Sequence, residues 1–134
     1  MNRSEDYGKL ILRLTCAGIL LFHGCYKVFG EMDSTIGMVE NAGLPGFLAY
    51  GTIVGEFIAP LFLIAGYKTR IAALIVAFDM LGAIMIAHRD LIFKVNDYWG
   101  WMIELNVFIM MSGLAIYFLG AGKLSISRGS GKWD

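Results

Sequence analysis

The chain has 134 residues, formal charge zero and a 57% hydrophobic share, above the roughly 45–50% of ordinary domains even when Gly is counted there. Only 16% of the residues are charged, against about a quarter in soluble domains, which excludes disorder and makes the bilayer the expected solvent. The length excludes a multidomain enzyme, and the absence of a basic excess removes the footprint of a nucleic-acid binder.

A helix needs about 20 mainly apolar residues to cross about 30 Å of hydrocarbon, and four runs meet that length. The first spans 10–29 and carries Arg13, His23 and Lys27; it lacks a small-residue cleavage site and is expected to stay in the mature chain. A loop with Glu31, Asp33 and Glu40 follows, predicted to hold an interfacial helix that breaks at Gly43-Leu44-Pro45-Gly46. The second run, 46–66, has Glu56 as its single charge, with Gly51 and Gly55 as a small-xxx-small pair for close helix approach. Pro60 is expected to kink it beside Glu56. The third run, 71–88, contains Asp79 and ends at His88, and the fourth, 101–121, starts at Trp101 and contains Glu104. Short connections predict antiparallel neighbours, hence an all-α, four-helix antiparallel transmembrane bundle forming one domain over 1–134.

An even number of crossings puts both termini on one side, together with Arg3, Lys9, Arg13, Lys68, Arg70, Lys123, Arg128 and Lys132. Lys27, Arg89 and Lys94 belong to the other side. That asymmetry predicts N-in, C-in orientation, with Tyr98, Trp99 and Trp101 as an aromatic belt at the outer interface.

Ionisable groups inside hydrocarbon cost at least about 2.5–3.5 kcal/mol each, so their depth and facing carry the functional information. At 1.5 Å per residue, His23 and Glu104 lie roughly 6–9 Å below the outer ends of their helices, Lys27 about 3 Å below, and His88 near the edge. Cys16, His23 and Lys27 share one face of the first helix, so His23, Lys27 and Glu104 are expected to converge on one pocket in the outer half. There they serve either as an interhelical ion pair or as ligand-binding groups. Glu56 and Asp79 fall near the midplane, as neutral acids hydrogen-bonded to a neighbour or as functional carboxyls. Arg13, with no acid at its depth, is expected to snorkel to the cytoplasmic surface. Cys25 lies opposite Cys16 and about 13 Å along the axis, which rules out a bond between them. No HxxxH, ExxH or CxxC spacing occurs, so no metal is expected, and the eight Met are read as adaptable packing.

Leu12-Arg13-Leu14, Phe22-His23-Gly24 with Lys27, Gly43-Leu44-Pro45, Glu56, Gly66-Tyr67-Lys68-Thr69-Arg70-Ile71-Ala72-Ala73, His88, Glu104 and Gly120-Ala121-Gly122-Lys123 occur in an order that resembles the DoxX family. The resemblance spans roughly residues 9 to 125 and departs from the family at the tail, where Leu124 and Ser127 stand in place of an aromatic and an acid. It implies a small four-helix protein of the prokaryotic cytoplasmic membrane. It further implies a role in quinone-linked sulfur oxidation, similar to the membrane subunit of a thiosulfate:quinone oxidoreductase, or a partnership with oxidative-stress proteins. Residue by residue it carries over Arg13, His23, Lys27, Glu56, Arg70, His88 and Glu104.

Two functions follow as expectations. In the first, a quinone head group takes hydrogen bonds or protons from His23, Lys27 and Glu104, with Glu56 as relay and His88 and Trp101 flanking the binding site. No haem, iron–sulfur or dinucleotide motif is present, so a redox protein partner or a directly bound reductant must deliver electrons. In the second, the chain is a non-catalytic scaffold or small-solute carrier whose buried charges tie helices together, as a homo-oligomer or under a soluble partner.

Overall fold

A computed structural model of the chain describes residues 2–134. Helix α1 runs Arg3–Phe29, seven residues further toward the N-terminus than hydropathy indicates. Glu5 and Asp6 in its first turn and Lys27 in its last complement the helix dipole, so the polar start is helical as well. Its buried stripe is Asp6, Arg13, Cys16, Ala17, Leu20 and Gly24, the three-to-four spacing of one helix face.

The first loop folds into helix α2, Asp33–Asn41, which ends before Gly43 at φ 81° and Pro45, as the turn residues predict. Helix α3, Gly46–Ala65, is irregular. It opens with a 3₁₀ turn over Gly46–Tyr50 and widens to a π segment over Val54–Ile58 before continuing as Ala59–Ala65. Pro60 has no N–H to give the Glu56 carbonyl four residues back, and the Ala59 N–H bonds to Val54, five residues back. The irregularity expected beside Glu56 takes the form of a π bulge over Val54–Ile58.

Helix α4 is Thr69–Ala87 and α5 is Glu104–Leu119, which begins three residues later than expected. The delay has a local cause, because residues 92–102 close on themselves. The Asn96 carboxamide accepts from the Tyr98 and Gly100 amides, Val95 bridges Trp101, and the Trp101 indole donates to the Ile92 carbonyl at 2.6 Å. Apart from that isolated bridge, the described residues contain no β structure.

Around the bundle α1 touches α3 and α5, and α4 touches the same two, with α4 against α5 the most extensive contact. The core is Cys16, Ala17, Leu20, Ala59, Leu63, Ala72, Ala73, Val76, Met80, Ile109 and Ile116. Phe22 and Phe118, at 83% and 74% exposed, stand on the outer surface. An apolar exterior on helices of this length is that of a membrane protein whose outer surface contacts lipid: α1, α3 and α4 are long and apolar enough to cross, and α5 is apolar but shorter. Gly113 backs onto the Ala73 carbonyl, where a Cβ would stand 2.9 Å away.

One end of the bundle is closed by the segment 120–134. Gly120 and Gly122, at φ 73° and 75°, turn the chain inward, and the Ile126 and Ser127 amides cap the Ala65 and Gly66 carbonyls at the end of α3. Arg13 does not snorkel. Only 1% exposed, its guanidinium points inward, donating from Nη1 to the Ala121 carbonyl and from Nη2 to that of Leu124 at 3.0 Å. Arg70 similarly holds the Tyr117 and Asp134 carbonyls, each at 2.9 Å, and Asp6 accepts from the Lys123 amide.

Candidate functional site

The opposite end, beneath α2, is hollow. A cavity of about 810 Å³ lies between α1, α3, α4 and the start of α5, with Ser34, Thr35, Met38 and Val39 of α2 as its roof. Its size falls within the range of small-molecule sites, and its lining is mainly apolar with a few polar groups.

The polar end of the cavity is a single ion pair, Lys27 Nζ to Glu56 Oε1 at 2.7 Å, with side chains 16% and 8% exposed. Counting depth at a uniform rise from Gly46 put Glu56 far below Lys27, and the structure corrects that count. The 3₁₀ turn Gly46–Tyr50 packs on α2, and Gly24 of α1 is level with Glu56, where a Cβ would strike the Glu56 carbonyl. Lys27 is thus one turn above its acid and reaches down to it. The π segment turns the Glu56 side chain toward α1, and Gly24 lets the two backbones approach.

Asp79 of α4 completes the cluster. Its carboxyl fills the notch at Gly55, where any Cβ would overlap it. Glu56 Oε2 and Asp79 Oδ2 are both buried without a hydrogen-bond partner, so two acceptor positions remain at one end of the cavity. Of the small-residue pair on α3, Gly55 makes the close approach and Gly51 meets nothing within 4 Å.

His23 lines the cavity from α1, and His88, which ends α4 with its amide on Ala83 and Ile84, lines it near the roof. Glu104 does not join them. It is the exposed first residue of α5, where a carboxylate complements the helix N-terminus, and the cavity takes Leu105 and Asn106 from that turn instead. The expected convergence of His23, Lys27 and Glu104 is corrected accordingly: Lys27 pairs with Glu56. Trp101 also stays outside the lining, its indole committed to the Ile92 carbonyl. Asp79, expected near the midplane as a scaffold acid or a functional carboxyl, lines the cavity, and Asn106 is the lining group that sequence reasoning missed, its signal a lone amide in the apolar run of α5. Among the described residues, no group of three or more His, Cys, Asp or Glu side chains comes together.

The family model DoxX matches residues 8–89, from early α1 to just past the end of α4. A Bacillus subtilis (strain 168) protein named "Putative oxidoreductase CatD" is 32% identical over 106 residues, 79% of this chain and 78% of that protein. "Inner membrane protein YqjF" of Escherichia coli (strain K12) is 30% identical over 128 residues, covering 96% of this chain and 95% of its own length. No solved structure matches the chain.

Proposed function

Since the chain belongs to the DoxX family of membrane proteins, we propose that it is the membrane subunit of a quinone-linked oxidoreductase, with the cavity under α2 as the head-group site. The observation that carries this reading is the pair of unpartnered carboxyl oxygens, Glu56 Oε2 and Asp79 Oδ2, beside the Lys27 ammonium in a mainly apolar cavity of about 810 Å³. A quinone ring carries an oxygen at each end, an acceptor when oxidised and a hydroxyl donor when reduced. Lys27 and His23 can donate to the first form, and Glu56 and Asp79 can accept from the second.

When bound, the quinone supplies two-electron, two-proton chemistry. The chain's own residues orient the ring, keep bulk water from it beneath α2, and hold protons at the Glu56 and Asp79 carboxyls. Electrons come from a partner or a directly bound reductant, because the sequence carries no motif for an electron-holding group. The name of the Bacillus subtilis relative supports the oxidoreductase class, and that of the Escherichia coli relative supports the inner membrane. The eight-to-three division of basic residues supports both termini on the cytoplasmic side, which makes the α2 end the outer one.

A scaffold is the second reading, favoured by the Lys27–Glu56 pair itself, since it fastens α1 to α3 without any ligand. Organic extraction of the purified protein separates the two. The redox reading expects about one quinone per chain, lost in Asp79→Asn and Lys27→Met variants that still fold. No quinone in the extract and no uptake of added quinone leaves the scaffold.

A further inference from the structure

The cavity lining includes exposed residues in two places, and these differ in chemistry. Between α1 and α5 its rim is His23, Tyr26 and Leu105, a partly polar edge. Between α3 and α4 the lining includes Gly51 and Val54 on one helix and Phe78 and Gly82 on the other, with no ionisable group at that rim. On α4 the lining residues Ile75, Asp79, Gly82 and Ile86 recur at spacings of four, three and four, one stripe on the α3-facing side. Phe78 borders that stripe on its outward side and is 69% exposed, and Val54 on α3 is 42% exposed, so each of these lining residues also reaches the outer surface of the bundle.

Of the glycines with open space around them, which include Gly8, Gly18, Gly37 and Gly43, Gly51 and Gly82 are the two in the cavity lining. A Cβ built at Gly51 or at Gly82 has no neighbouring heavy atom within 4 Å, whereas one at Gly24, Gly55 or Gly113 would collide with or press on the next helix. Gly24, Gly55 and Gly113 serve packing, and Gly51 and Gly82 do not. Gly82 stands one turn beyond Asp79 on α4, and Gly51 about one turn beyond Gly55 on α3, so both lining glycines lie about one turn from the Gly55–Asp79 contact, on the α2 side.

We propose that the gap between α3 and α4 is a lateral portal that holds the hydrocarbon tail of a bilayer-borne ligand while its ring sits at Lys27, Glu56 and Asp79. The ligand class is a long-chain amphiphile with a small polar ring, reaching the site sideways from the lipid rather than from water. This inference rests on the head-group reading above. Its added content is that Gly51 and Gly82 select for the tail.

The test measures binding of two quinones with the same ring, one with a decyl chain and one with none, to the purified full chain in lipid nanodiscs. In Gly82→Leu and Gly51→Leu, both built into open space, affinity for the decyl quinone should fall at least tenfold while that for the tail-less quinone changes less than twofold. Equal loss for both ligands, or no loss for the decyl ligand, overturns the portal and leaves the head-group site standing. Wild-type protein that binds neither quinone overturns the head-group site and the portal with it. A decyl quinone with a photoreactive group at its tail end gives a reading on unaltered protein: labelling should fall on Val54 or Phe78, and labelling confined to α1 or α5 overturns the proposal.

Discussion

Lys27 and Glu56 meet where little of either side chain is exposed, so deleting one partner strands the other charge in surroundings that solvate it poorly. Glu56→Gln and Lys27→Met should each cost about 3 kcal/mol of stability, while the Lys27→Met/Glu56→Leu double variant recovers most of the loss. Thermal melts of the four proteins in one detergent check this, and a Glu56→Gln melt equal to wild type would show that the acid is neutral and the pair dispensable. At this scale the sequence displayed the right groups, since Glu56 is the single charge of its apolar run and Lys27 one of three ionisable groups in its own. The choice of partner was hidden, because a uniform rise leaves Glu104 as the acid nearest in depth to Lys27, and the 3₁₀ turn and π segment that bring Glu56 level with Gly24 are not local signals. Arg13 shows the same limit: its inward turn depends on carbonyls of Ala121 and Leu124, more than a hundred residues away.

Among the elements, α3 is where local sequence and tertiary fit meet. Pro60 denies the Glu56 carbonyl its regular donor, the helix widens by one residue, and the widening redirects a side chain by about 100°. Pro60→Ala restores the missing N–H and favours the regular α pattern, which turns Glu56 away from Lys27. In a Pro60→Ala background, Lys27→Met should therefore cost less than about 1 kcal/mol, and a double-mutant cycle on melting data measures the difference. An undiminished cost would mean the π segment survives without the proline. Hydropathy located four apolar runs and turn residues located α2, because length and Gly/Pro punctuation are local properties. The late start of α5 was not legible, since it follows from Asn96 folding residues 92–102 on themselves, nor was the inward fold of 120–134.

At the level of the whole molecule the two ends differ in kind, one stoppered by 120–134 and its arginines, the other hollow under α2. With the stoppered end cytoplasmic, a cysteine at Ser130 in a Cys25→Ser background should resist a membrane-impermeant maleimide in intact cells and react in inside-out vesicles. Labelling in intact cells would reverse the orientation. The uneven build also divides the membrane's electric field. Gly24, level with Glu56, and Arg13 are eleven residues apart along α1, about 16 Å of close-packed core, whereas Glu56 lies only about 5 Å below Lys27 at the open end. Most of a transmembrane voltage therefore falls across the packed half. A proton that reaches Glu56 through the cavity crosses little of that field, so proton exchange between Glu56 and the open end moves little charge against the membrane potential.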